Sequence, residues 1–450
     1  MDIFRLEREK EIDAIKLQHF LDMHKANVEN RYKKLKDAYE SDHDILHEEA
    51  KPKWKPDNRI VVNFPKYIVD TMNGFFIGNP IKTTCDDKKV SEVVEFIDQY
   101  NDQDDNNAEL AKICSIYVHG FEMYYTDEEA ELCITYLSPI EAFMIYDDSI
   151  IERPKYFVRR YTDNNNIEFG SISDKYTVRY FQITGGIRFL DEQAHNFGDV
   201  PATEFVENAE RQGLFEPVLS MVNAYNKAIS EKANDVDYFA DAYLKILGTL
   251  VDDEDIKAIR DNRVINFPGE DADKLIVEFM DKPNNDATQE NLLNRLERLI
   301  FQISMVANIS DENFGASTGI ALKYKLQAMS NLEKTKERKF TSGMNRRYKL
   351  LFGHPASKVP DDSWVKLHYK FTPNFPANLL EEAQIAAQME GVTSHETQLK
   401  ALSIVENVSE ELERIKEENE IDPNAIVEKM MFPNGQKNDQ AQQEEVTQDE

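Results

Sequence analysis

The chain has 450 residues, with 53 lysines and arginines against 84 aspartates and glutamates, so its formal net charge is −31 at pH 7. A surface of this sign repels phosphate and lacks the basic stripe that is typical of sequence-specific DNA-binding proteins. It remains compatible with a protein past which DNA slides without being held. With 41% hydrophobic residues, the chain has enough apolar material for cores in about three structural units.

The cysteines and the N-terminus indicate the compartment. Cys85, Cys114 and Cys133 form no CxxC pair, which favours free thiols in a reducing environment. Residues 1–20 are charged and helix-periodic, without the apolar core of a signal peptide. No run of apolar residues approaches the ~18 that a transmembrane helix needs. We therefore expect the protein to be made in the cytoplasm and not to enter a membrane.

The first half of the chain predicts helices followed by a sheet. Residues 5–40 are helix-periodic, Pro65 suits the first turn of a helix that stops at Gly78, and residues 88–119 predict two helices around a polar loop. From residue 121 to about residue 205 the pattern changes to short runs rich in tyrosine, phenylalanine, valine and isoleucine, bounded by turn residues. This pattern predicts a β-rich meander, whose aromatic residues we assign to sheet core and cross-strand pairs.

The second half returns to helices around a mixed insert. Residues 215–247 predict a helix that Gly248 ends, residues 249–283 a compact insert with a short helix and two strands, and residues 286–306 an amphipathic helix. The apolar positions of that last helix are Leu292, Leu293, Leu296, Leu299, Ile300 and Ile303. A helix with such a stripe needs a neighbouring surface on which to bury it.

Beyond a loop of small residues, the chain predicts one long basic helix and a helical C-terminal part. The long helix spans about residues 320–352, and its basic residues either form a solvated face or pack against acidic neighbours. They are Lys334, Lys336, Arg338, Lys339, Arg346, Arg347 and Lys349. Residues 364–373 predict a strand, residues 377–420 predict two helices, and the polar, acidic residues from Asp422 onward predict disorder.

Few segments carry a pattern associated with ligand binding. The chain has no GxxxxGK[ST] phosphate-binding loop and no HExxH or Cys/His spacing for zinc, so we expect no cofactor and no metal. The acidic run Asp252–Asp255 suits the start of a helix better than a cation site.

One pattern fits the GxSxG elbow of serine hydrolases. It is Gly315-Ala316-Ser317-Thr318-Gly319, followed downstream by His354, His368 and His395. The elbow needs a buried strand directly before the serine, whereas Ser310–Phe314 is polar. A hydrolase that uses Ser317 is therefore kept only as an alternative, as is an acidic scaffold built on the helices. The favoured interpretation is a protein without enzymatic activity.

Four segments, in order between about residues 55 and 350, carry a resemblance to a known family. They are Asn58–Phe64 leading into Gly74–Ile81, His119–Glu122 with Leu137–Pro139, Glu216–Val218 leading to Phe239–Leu244, and Asp311–Gly315 with Ser317–Leu326. In these segments the chain resembles the portal, or connector, proteins of long-tailed bacteriophages, of the kind common in phages of Gram-positive bacteria.

The resemblance implies an α+β portal fold built from several parts. These parts are a wing over residues 1–215 with its β-rich portion at about 121–205, stem helices at 216–241 and 284–307, a small α/β clip at 242–283, a tunnel loop at 308–319, a long helix and wing strand at 320–376, a helical crown at 377–421, and a disordered acidic tail at 422–450. The segment assigned to the tunnel loop contains no lysine or arginine, which suits contact with moving DNA without binding its phosphates.

The resemblance also implies a function and its residues. The protein would form a dodecameric ring at one capsid vertex of the virion, through which double-stranded DNA is packaged and ejected. Its partners would be the terminase large subunit, the head-completion adaptor, the major capsid protein and the scaffold protein. The residues that the tunnel loop would present to DNA are Asp311, Glu312, Asn313, Phe314, Gly315, Ser317 and Thr318. The clip would dock the motor through Asp261, Arg263, Asn266, Glu270 and Asp271. The stem would pack through Leu292, Leu296, Leu299 and Ile303.

Overall fold

The computed structural model describes residues 3–52, 55–240, 244–247, 276–279, 286–309, 324–374, 379–400, 402, 404–405 and 408–420. These residues form both helices and sheets, which confirms the expected α+β class. The chain divides into two compact units, Met1–Asn374 and Phe375–Glu450.

The N-terminal segment begins with a strand and not with the predicted helix. Strand β1 (Phe4–Leu6) pairs in parallel with β5 (Ala142–Asp147), and its two apolar side chains are buried. Helix α1 (Ala14–Asn27) starts only after Asp13, whose carboxylate accepts a hydrogen bond from a backbone amide of the first turn. The prediction of a helix over residues 5–40 is therefore wrong at its start, because the strand takes its stability from a partner far along the chain.

The next helices lie where the sequence predicts them. They are α2 (Lys33–Tyr39), which follows a short π-helical turn, α3 (Phe64–Ile77), α4 (Lys88–Tyr100) and α5 (Gln103–Tyr117). The side chain of Asn63 caps α3 by accepting a hydrogen bond from the Lys66 amide, and proline occupies the first turn as expected.

The β-rich segment forms two sheets, which confirms the prediction for residues 121–205. The smaller sheet has the order β10-β3-β4 and contains β3 (His119–Thr126), β4 (Leu132–Leu137) and β10 (Ala202–Val206). The larger sheet has the order β1-β5-β6-β7-β8-β9 and adds β6 (Pro154–Thr162), β7 (Glu168–Ser173), β8 (Thr177–Ile183) and β9 (Ile187–Ala194). The sheets meet where the rings of Phe121 and Phe157 lie 5.5 Å apart.

A helix pair follows the sheets. Helix α6 (Leu219–Ala240) ends before the predicted limit of residue 247, because β11 (Leu244–Leu247) pairs in antiparallel fashion with β12 (Ile276–Phe279). The chain then returns as α7 (Asp286–Ser304), close to the predicted amphipathic helix. The short helix and first strand predicted within 249–283 lie outside the described residues.

The long basic helix closes the first unit. Helix α8 (Gln327–Gly353) packs against β10, where Gly343 permits the close approach: a Cβ there would lie 2.4 Å from the ring of Phe205. Of the strand predicted over residues 364–373, only β13 (His368–Lys370) forms, paired with β2 (Lys82–Thr84). The residues before it form a 3₁₀ turn instead.

The described residues of the second unit form three short helices within 377–420, where the sequence predicts two. They are α9 (Leu379–Gln388), α10 (His395–Lys400) and α11 (Val408–Glu420). Gly391 adopts a left-handed backbone with φ of 75° after α9, and Ser394 caps α10 through its hydroxyl. These two residues explain the additional break. The tail predicted to be disordered from Asp422 lies outside the described residues.

Candidate functional site

The α6–α7 helix pair is the first candidate, because it leads into the segments with predicted functions. Near its far end, Lys232 forms an ion pair with Glu290, and the Gln289 amide donates to Asp235 over 3.0 Å. These contacts join the end of α6 to the start of α7, so the helices run antiparallel. The β11–β12 ribbon continues the hairpin beyond them.

Helix α7 has two apolar faces, of which one is buried. Leu293 and Ile300 are 6% and 0% exposed, whereas Leu292 and Ile303 are 50% and 47% exposed. At 100° per residue, the exposed stripe is centred roughly 80° around the helix from the buried one. Leu296 and Leu299 belong to the exposed stripe and are partly buried. The four residues predicted for stem packing therefore form one stripe, of which Leu292 and Ile303 are about half-exposed within the described residues.

Aromatic rings of α3 pack against the helix pair near the start of α6 and the end of α7. Phe301 of α7 lies with its ring centroid 5.7 Å from Phe64 and 5.5 Å from Tyr67, and Phe64 lies 5.0 Å from Tyr225 of α6. The Tyr67 hydroxyl also accepts a hydrogen bond of 2.9 Å from the Ile309 amide. The chain is thus anchored at the start of the segment 308–319 predicted to be the tunnel loop.

A row of polar side chains on α6 binds the extended segment 58–62. Asn226 Oδ1, Ser230 Oγ and Asn234 Oδ1 accept hydrogen bonds from the amides of Val62, Ile60 and Asn58, over 2.9, 2.8 and 2.6 Å. We call these three side chains the polar ladder, and all three are buried.

The spacing of the polar ladder follows from the geometry of the two elements. Four residues of an α-helix rise about 6 Å, and two residues of an extended chain span about 6.6 Å. Side chains four apart on the helix therefore meet every second amide of the strand. Sequence reasoning missed this contact, although polar residues at 226, 230 and 234 within an otherwise regular helix were a visible signal.

Helix α8 buries two of its basic residues. The Lys336 ammonium donates to Glu207 at 2.6 Å, to the Ser115 hydroxyl at 2.5 Å and to the Ala111 carbonyl at 3.0 Å. All three of its protons are therefore used, and both charged side chains are 2% exposed.

The second buried pair joins Arg347 to Glu122 of β3. The guanidinium donates to both carboxylate oxygens, at 2.8 and 2.5 Å, and also to Asn107 at 2.6 Å. Burial alone would lower the pKa of Arg347, but the charge of Glu122 and its hydrogen bonds outweigh burial and raise it. Packing against acidic neighbours is thus confirmed for Lys336 and Arg347, whereas Arg338 and Lys349 are exposed.

A third buried cluster surrounds Glu204 of β10. Its carboxylate accepts hydrogen bonds from Arg211 at 2.7 and 2.8 Å, from His119 at 2.5 Å, and from the Tyr146 hydroxyl. Burial would raise the pKa of Glu204, but the bonds from His119 and Arg211 lower it further than burial raises it. Together the three clusters fix α5, the small sheet and α8 in one arrangement.

Several predicted site residues fall outside the described part of the chain. These are the tunnel-loop residues Asp311, Glu312, Asn313, Phe314, Gly315, Ser317 and Thr318, and the clip residues Asp261, Arg263, Asn266, Glu270 and Asp271. Of the histidines weighed for the hydrolase alternative, His354 lies with its ring centroid 4.7 Å from that of Phe197 and caps a 3₁₀ turn, and His368 belongs to β13. Nothing in the described residues or in the relatives supports that alternative.

Other sequence predictions about sites concern thiols, metals and membranes. All three cysteines are free, with Cys114 and Cys133 buried. Over the described ranges, no group of three or more His, Cys, Asp or Glu residues is arranged to hold a metal ion. Among the helices that the structure describes, none has the length and apolar content needed to cross a membrane.

Comparison with known proteins gives one consistent result. A family model described as "Phage portal protein, SPP1 Gp6-like" matches residues 18–423. The chain is 23% identical over 411 residues to the portal protein of Clostridium phage phiCD119, covering 85% of this chain and 89% of that protein. It is 25% identical over 400 residues to the portal protein of Bacillus phage SPP1, covering 81% of this chain and 76% of that protein.

Proposed function

Because the chain belongs to the SPP1 Gp6-like family of phage portal proteins, we propose that its copies assemble into a dodecameric ring at one vertex of the capsid. Double-stranded DNA passes through the channel of this ring during packaging and ejection, without sequence specificity. The net charge of −31 per subunit supports this role, since an acidic wall does not retain phosphate. In this proposal the portal has no enzymatic activity, and the terminase supplies the energy of packaging.

The observation that best supports ring formation is the exposed stripe of α7. Leu292, Leu296, Leu299 and Ile303 lie on one face of a helix whose other apolar face is already buried within the chain. Covering half-exposed leucines and isoleucines removes apolar surface from water, which favours association. A neighbouring stem in the ring provides the covering surface, so that each copy uses two different faces and the contacts close by rotation.

We assign the remaining parts of the chain by their order. Residues 1–215 form the wing, residues 216–241 and 284–307 the stem, residues 242–283 the clip, and residues 308–319 the tunnel loop. The long helix and wing strand follow at 320–376 and the crown at 377–421. The helix pair and its ribbon support the stem and clip assignment, since β11 and β12 pair in antiparallel fashion between the two helices in the sequence.

The partners are assigned to these parts in the same way. We propose that the clip, through Asp261, Arg263, Asn266, Glu270 and Asp271, docks the terminase large subunit and later the head-completion adaptor. The tunnel loop contacts DNA, and the anchor between Tyr67 and the Ile309 amide supports its placement, because it fixes where the loop begins. The major capsid and scaffold proteins surround the ring in the virion.

The ring is tested by electron microscopy and mass measurement of the purified protein and two variants. Wild type should give rings with a central hole and the mass of a dozen subunits. The double substitution Leu292→Ser/Ile303→Ser should shift the protein to smaller species, because it removes the stripe. Ile15→Ser is the matched control, since Ile15 is 83% exposed on α1 and outside the stem.

The outcomes separate the two parts of the proposal. Rings formed equally well by the double variant would show that the stripe is not a subunit contact. A wild-type protein that stays at the mass of a single chain, at high concentration and moderate salt, would remove the ring itself. The circular dichroism spectra should not differ among the three proteins, because the substituted side chains are half-exposed or more.

A further inference from the structure

The turn between β5 and β6 presents two adjacent isoleucines to solvent. Ile150 is fully exposed and Ile151 is 71% exposed. The turn is nevertheless well held, because Asp147 Oδ1 accepts hydrogen bonds from the amides of Ser149 and Arg153 at 3.2 and 2.9 Å. We call Ile150 and Ile151 the hairpin tip. A rigid tip of two branched apolar side chains is typical of a contact surface.

Exposed aromatic rings form a second uncovered surface, on α4 and the ends of three strands. We call it the aromatic patch, and its members are Phe96, Tyr100, Tyr125, Tyr161 and Phe169. The first four are between 41% and 50% exposed. Rings of this type, with an arginine among them, are enriched where protein–protein contacts are strongest.

Four members of the aromatic patch form two stacked pairs. Phe96 stacks on Tyr100 with centroids 5.6 Å apart, and the Tyr100 hydroxyl donates to Asp127 at 2.5 Å. On the other side, Tyr161 stacks on Phe169 at 5.9 Å, and the Arg159 guanidinium lies 5.0 Å from the Tyr161 ring. Tyr125 lies next to Cys133 on the neighbouring strand and interacts electrostatically with Arg159, which also lies over the Tyr161 ring.

The hairpin tip and the aromatic patch lie at opposite ends of one strand. Strand β6 begins at Pro154, directly after the tip, and Tyr161 is its second-last residue. Seven residues of extended chain span about 23 Å, so the tip of one copy does not reach the patch of the same copy. A contact between the two surfaces must join different copies head to tail, which is the arrangement that closes into rings.

Both signs of charge lie next to the tip, where Asp148 accepts a hydrogen bond from the Arg8 amide and Glu152 pairs with Arg5, and the two arginines that remain there are opposite in sign to the turn beside the patch. Arg8 and Arg153 flank the tip, since the Arg8 amide donates to Asp148 at 3.0 Å; within the described residues neither guanidinium is in an ion pair. Next to the patch, the β3–β4 turn carries Glu128 and Glu129, which are exposed and also lack an ion pair within that part of the chain. Copies that each carry a charge of −31 repel one another, so a local pairing of opposite charge favours this contact over others.

We infer that, in the ring, the hairpin tip of one copy docks on the aromatic patch of the next copy, with Arg8 and Arg153 facing the acidic β3–β4 turn. The inference rests on the proposed ring and adds a second contact between neighbours, in the sheet region and distinct from the stem. A head-to-tail chain of the six-stranded sheets then surrounds the channel at the level of the wing.

The contact is tested by cross-linking in assembled protein. Ile151→Cys and Tyr161→Cys are combined in a chain whose Cys85 and Cys133 are replaced by serine, and a short bismaleimide is added. The double variant should give a ladder of covalent multimers on a denaturing gel, whereas an equal mixture of the two single variants should stop at dimers. Each single variant alone should give no multimers. The matched control is Ile15→Cys with Tyr161→Cys, which should give no ladder.

The outcomes distinguish this contact from the ring itself. Rings seen by electron microscopy without a ladder would overturn the docking and leave the ring in place. A ladder from the Ile15→Cys control would also overturn it, because the cross-link would then be non-specific. If neither rings nor a ladder form, both proposals fail.

A second variant measures how much the contact contributes. Ile150→Ser/Ile151→Ser should raise the concentration at which rings dissociate at least tenfold, and the fold should be unaffected because both side chains are exposed. A dissociation concentration equal to that of wild type would contradict the inference, and capsid or scaffold protein would then be the candidate for covering the tip.

Discussion

The surroundings of α8 and the α6–α7 helix pair use polar residues in opposite ways. Around α8, full charges are buried in pairs, as in Arg347 with Glu122 and Lys336 with Glu207. Along α6, neutral side chains of Asn226, Ser230 and Asn234 bind backbone amides of an extended segment. A buried charge that loses its partner is strongly destabilising, whereas a neutral hydrogen bond contributes little net free energy. The packing around α8 therefore depends on complete charge pairs, whereas each hydrogen bond between α6 and residues 58–62 contributes a smaller free energy.

This difference suits a portal. In the proposed ring, a wing that keeps its shape would provide fixed surfaces for neighbours, while the proposed stem beside moving DNA would have to adjust. The apolar residues of α7 add to the contrast, since Leu292 and Ile303 are about half-exposed whereas Leu293 and Ile300 are buried. Substitutions at three positions test this comparison, and their expected effects on stability decrease in the order given below.

The largest effect is expected from Arg347→Met. The substitution leaves Glu122 buried and unpaired, so we expect a loss of about 3–5 kcal/mol in the free energy of unfolding. Urea unfolding followed by circular dichroism measures it. Arg338→Met is the control, because Arg338 lies on the same helix but is exposed, and it should change stability by less than about 0.5 kcal/mol.

A second substitution tests the reason for that loss. Glu122→Leu combined with Arg347→Met removes both charges, and most of the lost stability should return. If Arg347→Met alone costs less than about 1 kcal/mol, water reaches the pair and the contrast with the stem is wrong.

A smaller effect is expected from Ser230→Ala in the polar ladder. The substitution leaves the Ile60 amide without its acceptor and should cost about 1–2 kcal/mol. Hydrogen exchange should become faster at Ile60 and should change less at Val62 and Asn58, because their acceptors remain. Ser220→Ala is the control, since Ser220 is exposed on the same helix. Equal acceleration at all three amides would show that the ladder opens as one unit.

Sequence periodicity predicted those parts of the fold that depend on local pattern. Helices α3 to α5, the β-rich segment and α7 have long repeats or strong turn signals, and they lie where expected. Strand β1 was not predicted, because its three residues are stable only through pairing with β5, about 140 residues away in sequence. Strand β11 was assigned to a helix for a similar reason, since its partner β12 lies about 30 residues further along the chain.

The candidate site was less predictable than the fold. Lys336 and Arg347 have the same residue types as the exposed Arg338 and Lys349 of α8, so composition alone cannot separate buried from solvated positions. The six apolar positions of α7 were predicted as one stripe, and only packing against the body divides them into a buried and an exposed set. The hairpin tip gave no signal, because two isoleucines in a β-rich segment are expected in the core.

The smallest effect is expected at Asp98. Its buried charge is stabilised less by its surroundings than the charge of Arg347 is. Asp98 lies on α4, and the Tyr348 hydroxyl donates to both of its oxygens at 2.8 and 3.0 Å. Burial raises the pKa of Asp98 to about 6, and the bond from Tyr348 lowers it only in part. The folded protein thus binds this proton more tightly than the unfolded chain does. Stability therefore falls as the pH rises from about 4 to about 6, and the full penalty is present above that range.

Asp98→Asn removes this charge and keeps an acceptor for Tyr348. A pKa difference of this size is worth at most about 3 kcal/mol, and solvent at the partly exposed carboxylate reduces it to about 1 kcal/mol. The variant should be more stable than wild type by that amount at pH 7.5 and equal to it below pH 4, where wild-type Asp98 is protonated in both states. Asp86→Asn, at an exposed position before α4, should show no such pH dependence. A variant less stable than wild type at pH 7.5 would mean that Arg347 uses the Asp98 charge, and the buried pair around α8 would then be a group of three.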